Sequence, residues 1–247
     1  MRSAAEKLPI ERPAIGEPLA ALGDLRFRAL LSDEAWGALP LAVRRRFSKR
    51  LAAGESVVYV GMVTECRMSR AGRLLAQAAR LIGGPLPLGR DVGAASVVTV
   101  TEDEATGGQI WTRLYARRDG FPQVIHSSKR FAGPTGLEEY VGRGVGMALA
   151  VAVEDGALTF RSARYFLQLL GRRLRLPEWA SPGDLTVTHA EAGEGAFVFT
   201  LEIVHRRLGL LLRQSAVFRE SAPMTSQLLL PAALAEIVGS SGARHRR

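Results

Sequence analysis

One strand-like segment of the chain places an arginine between two aromatic residues. Trp111, Arg113 and Tyr115 occupy alternate positions, so a β-strand would put all three on one face. If that face points inward, Arg113 is a buried cation, which is costly unless a carboxylate pairs with it. Glu138 and Glu139 are the candidate partners, and such a pair could anchor the carboxylate or phosphate head of an apolar ligand. The alternatives are a structural Arg–Glu clasp at the rim of the fold and an arginine that points to solvent.

Two histidines, a serine and a glutamine complete the candidate ligand-binding residues. His189 and His205 each lie on an otherwise apolar strand face, where a lone histidine is most often a core or rim side chain with one hydrogen bond. Ser127 lies in a strand and not in the Gly-x-Ser-x-Gly turn of acyl-transfer hydrolases. Gln214 is the remaining polar candidate. We predict ligand contact for this set and assign no catalytic residue.

The spacing of histidines and cysteine argues against a metal site. The chain has no His-x-His, His-Glu-x-x-His or Cys-x-x-Cys arrangement, and we predict neither a metal nor a cofactor. Cys66 is the single cysteine, so no intramolecular disulfide can form and a reducing compartment is expected.

The clearest element signal is a β-hairpin. In residues 145–153, large residues alternate with glycine and alanine, which is the period of two typical of a strand. Glu154, Asp155 and Gly156 then supply a turn that reaches positive φ, and alternation resumes over residues 158–165. The face of small residues predicts close approach by another layer, or room for a ligand.

Two helical regions are predicted in the first third of the chain. Residues 24–51 form two short helices separated before Pro40, since the residue before a proline is pushed out of the α region. Their apolar residues would pack on the domain, and their arginines would face water. A basic amphipathic helix follows the first strand, with Ser69 as its N-cap and with Leu74 and Leu81 in the packed apolar stripe.

The other segments are typical of short strands joined by Gly-rich or acidic turns, as antiparallel neighbours require. About eight strands and no β-α-β alternation predict a mainly β (α+β) protein, with one antiparallel sheet curled into a barrel or half-barrel. A lipocalin-like closed barrel is preferred over a helix-grip fold, because the last predicted helix is short. The chain divides into a flexible leader (1–23), a single barrel-like domain (24–222) and a short helix with a basic tail (223–247).

The net charge of +9 comes mostly from arginines in short patches. Such patches suit an anionic membrane surface or nucleic acid, but the chain has neither zinc-ligand spacing nor an RNA-binding strand motif, so no specific nucleic-acid partner is predicted. The arginines of the amphipathic helix and of residues 172–175 would form one basic surface if both segments lie on the same side. Without a signal peptide or an apolar run of membrane-spanning length, we expect a cytoplasmic protein, with peripheral membrane contact as an alternative.

A series of short motifs resembles a known family. The motifs are Trp36 with Leu39-Pro40 and Val43-Arg44; Gly61; Gly84-Pro85-Leu86-Pro87; Trp111-Thr112-Arg113; Ser128-Lys129-Arg130-Phe131; Leu137-Glu138-Glu139 with Gly142; Leu158; Arg173 with Leu176-Pro177-Glu178-Trp179 and Pro182; Phe197-Val198-Phe199; and Leu208-Gly209. In this order, over about residues 25–220, they resemble the bacterial family catalogued as domain of unknown function 4166. Phe47 departs from the family pattern, in which a histidine is expected at this position. The departure weakens any catalytic scheme that relies on that histidine.

The resemblance also implies a dehydrogenase-like partner. Members of that family often follow a saccharopine-dehydrogenase-like or short-chain-dehydrogenase-like domain. This chain therefore resembles a stand-alone version, for which a dehydrogenase-like partner chain is an expectation.

Three functions are compatible with these residues. The leading hypothesis is a β-barrel that binds an apolar small molecule with an anionic head, oriented by Arg113. The second is an enzyme that acts on such a ligand with Glu138 or a histidine as acid or base. The third is a peripheral membrane or protein-interaction module.

Overall fold

The computed structural model describes residues 24–51, 56–90 and 92–221. The predicted leader and the predicted C-terminal helix and tail lie outside the described residues. Within the described part, no helix has the length and apolar content needed to cross a bilayer.

Eleven strands form one antiparallel sheet. They are β1 (Ser56–Met68), β2 (Ala95–Asp103), β3 (Gly108–Tyr115), β4 (Gln123–Arg130), β5 (Glu138–Gly142), β6 (Val145–Glu154), β7 (Ala157–Leu169), β8 (Arg172–Arg175), β9 (Asp184–Gly193), β10 (Ala196–His205) and β11 (Gly209–Glu220). Neighbours follow the order β6-β5-β4-β3-β2-β1-β11-β10-β9-β7, and β7 pairs again with β6. Ten strands therefore close into a barrel, and β8 pairs with β7 outside the ring.

The predicted mainly β fold and the closed barrel are confirmed, but the strand count of about eight was too low. The predicted set did not include β5 and β8. β5 begins with two adjacent glutamates and lies between glycine-containing turns, so it shows no apolar alternation. The residues of β8, from Arg172 to Arg175, are all exposed, so no buried face marks this strand.

The hairpin β6–β7 has the predicted turn at positive φ, with φ of 50° at Asp155 and 73° at Gly156, and Glu154 pairs with Ala157, so the turn has two residues. The small residues of β6 face outward. A Cβ at Gly146 would collide with the ring of Phe166 on β7, so the missing side chain makes room for that ring. The close approach comes from the neighbouring strand of the same sheet and not from a ligand.

Two short helices close one end of the barrel. α1 (Asp33–Ala38) and α2 (Leu41–Phe47) are separated before Pro40, as predicted, and Trp36, Val43 and Phe47 are buried. The arginines of α2 do not all face water. The Arg46 guanidinium lies 3.7 Å from the centroid of the Phe197 ring and 3.8 Å from the Glu191 carboxylate. We call this the closed end.

The opposite end, where β1 leads into a third helix, is the mouth. α3 (Arg70–Ala79) begins at Ser69, whose Oγ accepts a hydrogen bond from the Gly72 N–H at 3.0 Å. The predicted N-cap is therefore confirmed. A bulge opposite Ile203 and Val204 leaves Leu211 without a partner on β10, and the Ser69 N–H donates to the Leu211 carbonyl at 3.0 Å.

The side on which α3 packs differs from the prediction. Gly72 and Ala76 are buried against β11, whereas Leu74 and Leu81 are about three-quarters exposed. The reason is the close approach of the helix to Leu211: a Cβ at Gly72 would overlap the Leu211 carbonyl. Small residues therefore form the contact with β11. Of the predicted apolar stripe, Leu75, Ala78 and Ile82 face the barrel, whereas Leu74 and Leu81 do not.

Gly72→Ala tests this contact. We expect the variant to lower the free energy of unfolding by about 1–3 kcal/mol, because the added methyl group must displace backbone in a packed region. Gly37→Ala in α1 is the matched control, since nothing lies within 4 Å of its Cβ position, and a gain of about 0.5–1 kcal/mol is expected from helix propensity. Urea unfolding of both variants measures the difference, and a stabilised Gly72→Ala protein would contradict the contact.

Candidate functional site

A cavity of about 270 Å³ occupies the mouth half of the barrel. Its roof is formed by α3, by the proline-containing loop that follows α3, and by the segment between β8 and β9. Apolar side chains dominate its walls, among them Leu75, Ile82, Leu86, Val141, Met147, Leu176, Leu185, Val187, Phe199 and Ile203. The polar side chains of Arg113, Ser127 and Glu139 also line it. The site is thus an apolar chamber with a small charged region.

Strand register brings the charged residues together. Along β3, Trp111, Arg113 and Tyr115 alternate inward, as the sequence pattern indicated for a shared face. The β3–β4 pairing sets Trp111 opposite Ser127, and the β4–β5 pairing sets Lys129 opposite Glu139. Four polar side chains from three neighbouring strands therefore converge inside the barrel.

The convergence forms a buried charge cluster, which we define as Arg113, Ser127, Lys129 and Glu139. The Lys129 Nζ lies 3.2 Å from Glu139 Oε1, and the Arg113 Nη2 lies 3.8 Å from the same oxygen. Arg113 Nη1 donates to Ser127 Oγ at 3.2 Å. The side chains of Arg113, Lys129 and Glu139 are each at most 12% exposed. Two basic groups therefore share one carboxylate within the cluster.

Opposing influences set the protonation of the cluster. Burial by itself would raise the pKa of Glu139, but the charges of Lys129 and Arg113 and hydrogen bonds from Ser127 and Lys129 outweigh burial and hold that pKa below its usual value. Burial is the largest influence on Lys129 and lowers the pKa of its ammonium, and the attraction of Glu139 opposes this only in part. Glu139 is therefore ionised at neutral pH and is an acceptor of hydrogen bonds.

Lys129 was not among the predicted site residues, although a signal for it exists. Ile125, Ser127 and Lys129 alternate along β4, so an inward Ile125 implies an inward Lys129. The ammonium lies 5.0 Å from the Trp111 ring centroid and 5.6 Å from that of Phe160, within the range of cation–π attraction. Lys129 lies below the cavity, on the closed-end side of Glu139.

His189 lies deeper in the barrel, inside a group of aromatic rings. Its ring centroid is 5.0 to 6.0 Å from those of Phe47, Trp111, Phe160, Phe197 and Phe199. Nδ1 is buried without a hydrogen-bond partner. Burial, and then the charges of Arg46, Lys129 and Arg113, hold the pKa of His189 well below its usual value, so the ring is neutral at physiological pH. Phe47 contacts this ring at the position where the family pattern would have a histidine.

The structure separates the other predicted site residues from the buried charge cluster. Glu138 does not line the cavity: its carboxylate lies 2.5 Å from Arg173 Nη2 and accepts from the Tyr140 hydroxyl at 3.1 Å. Glu139, and not Glu138, is therefore the carboxylate beside Arg113. His205 lies at the end of β10 and lines a separate polar cleft.

Gln214 also lies outside the main cavity. It is buried beside a small void that Tyr115 also lines, and its Oε1 has no hydrogen-bond partner. Tyr115 lines the main cavity as well, whereas Trp111 lies below it beside His189. Among the described residues, no group of three or more His, Cys, Asp or Glu is arranged to hold a metal ion.

Replacing the shared carboxylate tests the electrostatics of the buried charge cluster. We expect Glu139→Gln to lower the free energy of unfolding by about 3–5 kcal/mol, because buried cations are left without a counter-charge. Glu138→Gln is the matched control on the same strand. Its partner Arg173 is 42% exposed, so that guanidinium regains water and we expect a loss of about 1 kcal/mol or less. Equal losses in urea unfolding at pH 7 would contradict this assignment.

Because His189 is buried and neutral in the folded protein, we expect the stability to depend on pH. Its folded pKa lies below its unfolded pKa of about 6.5, so only the unfolded chain takes up the proton as the pH falls below that value. His189 should therefore cost the wild-type protein about 1.4 kcal/mol of stability per pH unit from about pH 6.5 down to the folded pKa. His189→Leu removes this contribution and should be as stable as the wild type or more stable at pH 8, since Nδ1 has no partner to lose. The free energy of unfolding of both proteins is measured between pH 5 and pH 8. If it depends on pH with the same slope in both, His189 does not contribute as expected.

Comparison with known proteins shows to which family the chain belongs. Residues 39–218 match the family model described as Domain of unknown function (DUF4166). No curated protein and no solved structure matches the chain. The matched region runs from the end of α1 into β11, so it includes every residue of the buried charge cluster and nearly the whole barrel. The resemblance stated from the sequence motifs is confirmed: the chain belongs to the DUF4166 family.

Proposed function

We propose that the protein binds a small amphiphile, with an apolar body and an anionic head, in the mouth-side cavity. The observation that carries the proposal is the position of Arg113. Its guanidinium borders an apolar cavity, and the one carboxylate beside it, that of Glu139, is shared with Lys129. The forked donors of Arg113 are suited to a carboxylate or phosphate oxygen.

The charge balance favours an anionic head over a cationic one. Arg113 and Lys129 are both basic, and Glu139 is the single carboxylate in the buried charge cluster. An anion that enters the cavity would complete a second ion pair in a region of low dielectric, where such an interaction is stronger than in water. A cation would meet two like charges.

The walls and the volume favour a short apolar body. Apolar side chains from five barrel strands and from α3 line the cavity, and burial of a ligand's apolar surface against them contributes roughly 25 cal/mol per Å². A volume of about 270 Å³ lies near the lower limit of ligand pockets, which is about 300 Å³. A single chain of short or medium length therefore fits better than a two-chain lipid.

A second candidate function is catalysis on the bound molecule. The supporting observation is that the Glu139 carboxylate lines the cavity. Its lowered pKa keeps Glu139 ionised at neutral pH, which suits stabilisation of a positive charge and disfavours donation of a proton, although it also makes the carboxylate a weaker base. The sequence hypothesis of Glu138 or a histidine as acid or base has less support, because Glu138, His189 and His205 do not line the cavity. His126 borders it, but this residue is exposed and its Nδ1 lies 3.0 Å from Thr112 Oγ1.

Calorimetric titration with two ten-carbon amphiphiles tests the binding proposal. We expect decanoate to bind and decyltrimethylammonium, which has the same chain and the opposite charge, not to bind. Arg113→Gln should weaken decanoate binding by roughly 10- to 100-fold, as expected for the loss of hydrogen bonds to a charged group. Native mass spectrometry of the purified protein, followed by extraction, would identify a molecule retained from the cell.

Arg213→Gln is the matched control for this titration. Arg213 is also a strand arginine with two glutamate partners, Glu65 and Glu202, but it lies on the outside of the barrel and is 42% exposed. Its decanoate affinity should equal that of the wild type. If the folded Arg113→Gln protein binds decanoate as tightly as the Arg213→Gln protein, Arg113 does not orient an anionic head.

A further inference from the structure

The connections at the mouth of the barrel carry an excess of arginine. These connections are the segments that follow β1, β3, β5, β7 and β10, and the one after β7 includes the short strand β8. Their arginines are Arg70, Arg73, Arg80, Arg90, Arg117, Arg118, Arg143, Arg172, Arg173, Arg175, Arg206 and Arg207. The acidic residues described in the same connections are Asp119 and Glu178, while Asp91 lies outside the described residues. At the closed end, basic and acidic residues are nearly balanced.

Two contacts show that the basic segments lie side by side. The turn between β5 and β6 begins after Gly142, the last residue of β5, where a Cβ would overlap the Ile82 carbonyl. Ile82 ends the α3 segment, by which we mean α3 and the 3-10 turn Arg80–Ile82 that follows it. In the same turn, the Gly144 carbonyl accepts a hydrogen bond from the Gln168 N–H of β7 at 2.8 Å. This turn therefore bridges the α3 segment and the β7–β8 hairpin, two elements of the mouth that both carry arginines.

Large apolar side chains protrude among these arginines. Leu170 at the tip of the β7–β8 hairpin is 93% exposed, Trp179 is 81% exposed, and Phe121 in the β3–β4 connection is 91% exposed. Leu74 and Leu81 of the α3 segment are also exposed. Protruding leucine and aromatic side chains beside arginines are the composition of proteins that lie in the interface of a lipid bilayer.

A polar cleft extends the same surface. Its volume is about 330 Å³, and it shares Tyr165 and Leu176 with the apolar cavity. Arg164, Arg175 and Arg206 line the cleft together with His205 and with the carboxylates of Glu178 and Asp184, and Arg206 lies 3.8 Å from the Glu178 carboxylate. The arginines that have no carboxylate beside them could receive a phosphate group next to the opening of the cavity.

We propose that the mouth of the barrel is a docking surface for an anionic lipid bilayer. The arginines supply the attraction to anionic headgroups, which is worth roughly a fivefold gain in affinity for each residue near the surface. Leu170 and Trp179 enter the interface. A nucleic-acid duplex matches the charge equally well, but its bases are already stacked and it offers no apolar partner for Leu170. The docking surface does not depend on the cavity holding a ligand.

Sedimentation with vesicles tests the proposal on the full chain. We expect binding to vesicles of phosphatidylglycerol and phosphatidylcholine at a ratio of about 3:7, no binding to pure phosphatidylcholine, and release at high salt. Trp179 supplies a local signal, because Trp36 and Trp111, the other two tryptophans, are buried. A blue shift of tryptophan fluorescence on binding, abolished in Trp179→Ser, would place the mouth at the bilayer.

Two variants of equal charge locate the surface. The mouth variant carries Arg70→Gln, Arg73→Gln, Arg172→Gln and Arg175→Gln, and we expect its vesicle affinity to fall on the order of a hundredfold. The control carries Arg28→Gln, Arg50→Gln, Arg161→Gln and Arg219→Gln, which lie toward the closed end, and should bind like the wild type. Both variants keep the C-terminal arginines, so the comparison isolates the mouth.

Several results would overturn the proposal. One is an equal loss of binding in the two quadruple variants, which would indicate a general effect of net charge. Another is vesicle binding without a shift of Trp179 fluorescence, which would place another face on the bilayer. A third is retention by a DNA duplex but not by the anionic vesicles at the same salt concentration. Decanoate binding without vesicle binding would leave the proposed cavity function intact and remove the docking surface.

Discussion

Closure of the sheet between β6 and β7 is the constraint on which the rest of the structure depends. Once ten strands form a ring, every second residue of each strand points into the barrel and is removed from water. A charged side chain at such a position must find a partner inside the barrel. Closure therefore turns Arg113, Lys129 and Glu139 from three ordinary strand residues into one interdependent cluster.

The interior is divided into two halves with different properties. On the closed-end side, α2 inserts Phe47 among the rings around His189, and the space is filled. On the mouth side, α3 rests on β11 through Gly72, with Leu74 outside and Leu75 at the edge of the cavity, so it roofs the barrel without filling it. The buried charge cluster lies at the boundary between the filled half and the open half, where its charges can face a bound molecule.

The distribution of charge follows the same axis. The connections at the mouth carry an excess of arginine, whereas basic and acidic residues are nearly balanced in the described connections of the closed end. The two proposals are related by position, because the ligand-sized cavity and the arginines and exposed apolar residues all lie at the mouth. An anionic amphiphile could pass between a bilayer and the barrel along this one surface. Each proposal nevertheless depends on different residues, so each can fail without the other.

The sequence by itself determined the features that depend on local periodicity. Alternation predicted the shared face of Trp111, Arg113 and Tyr115, the β6–β7 hairpin with its turn at Gly156, and the helix that starts after Ser69, because each is encoded within a few consecutive residues. Ordered short motifs were sufficient to indicate the family.

Only the tertiary structure decided the features that depend on register between strands. Adjacent residues point to opposite faces, so Glu138 and Glu139 could not be distinguished until the pairing of β4 with β5 placed Glu139 beside Lys129 and Arg113. The exposure of Leu74 and Leu81 likewise followed from the bulge at Leu211, which lies far away in the chain. Such contacts join segments distant in sequence, and no local pattern contains them.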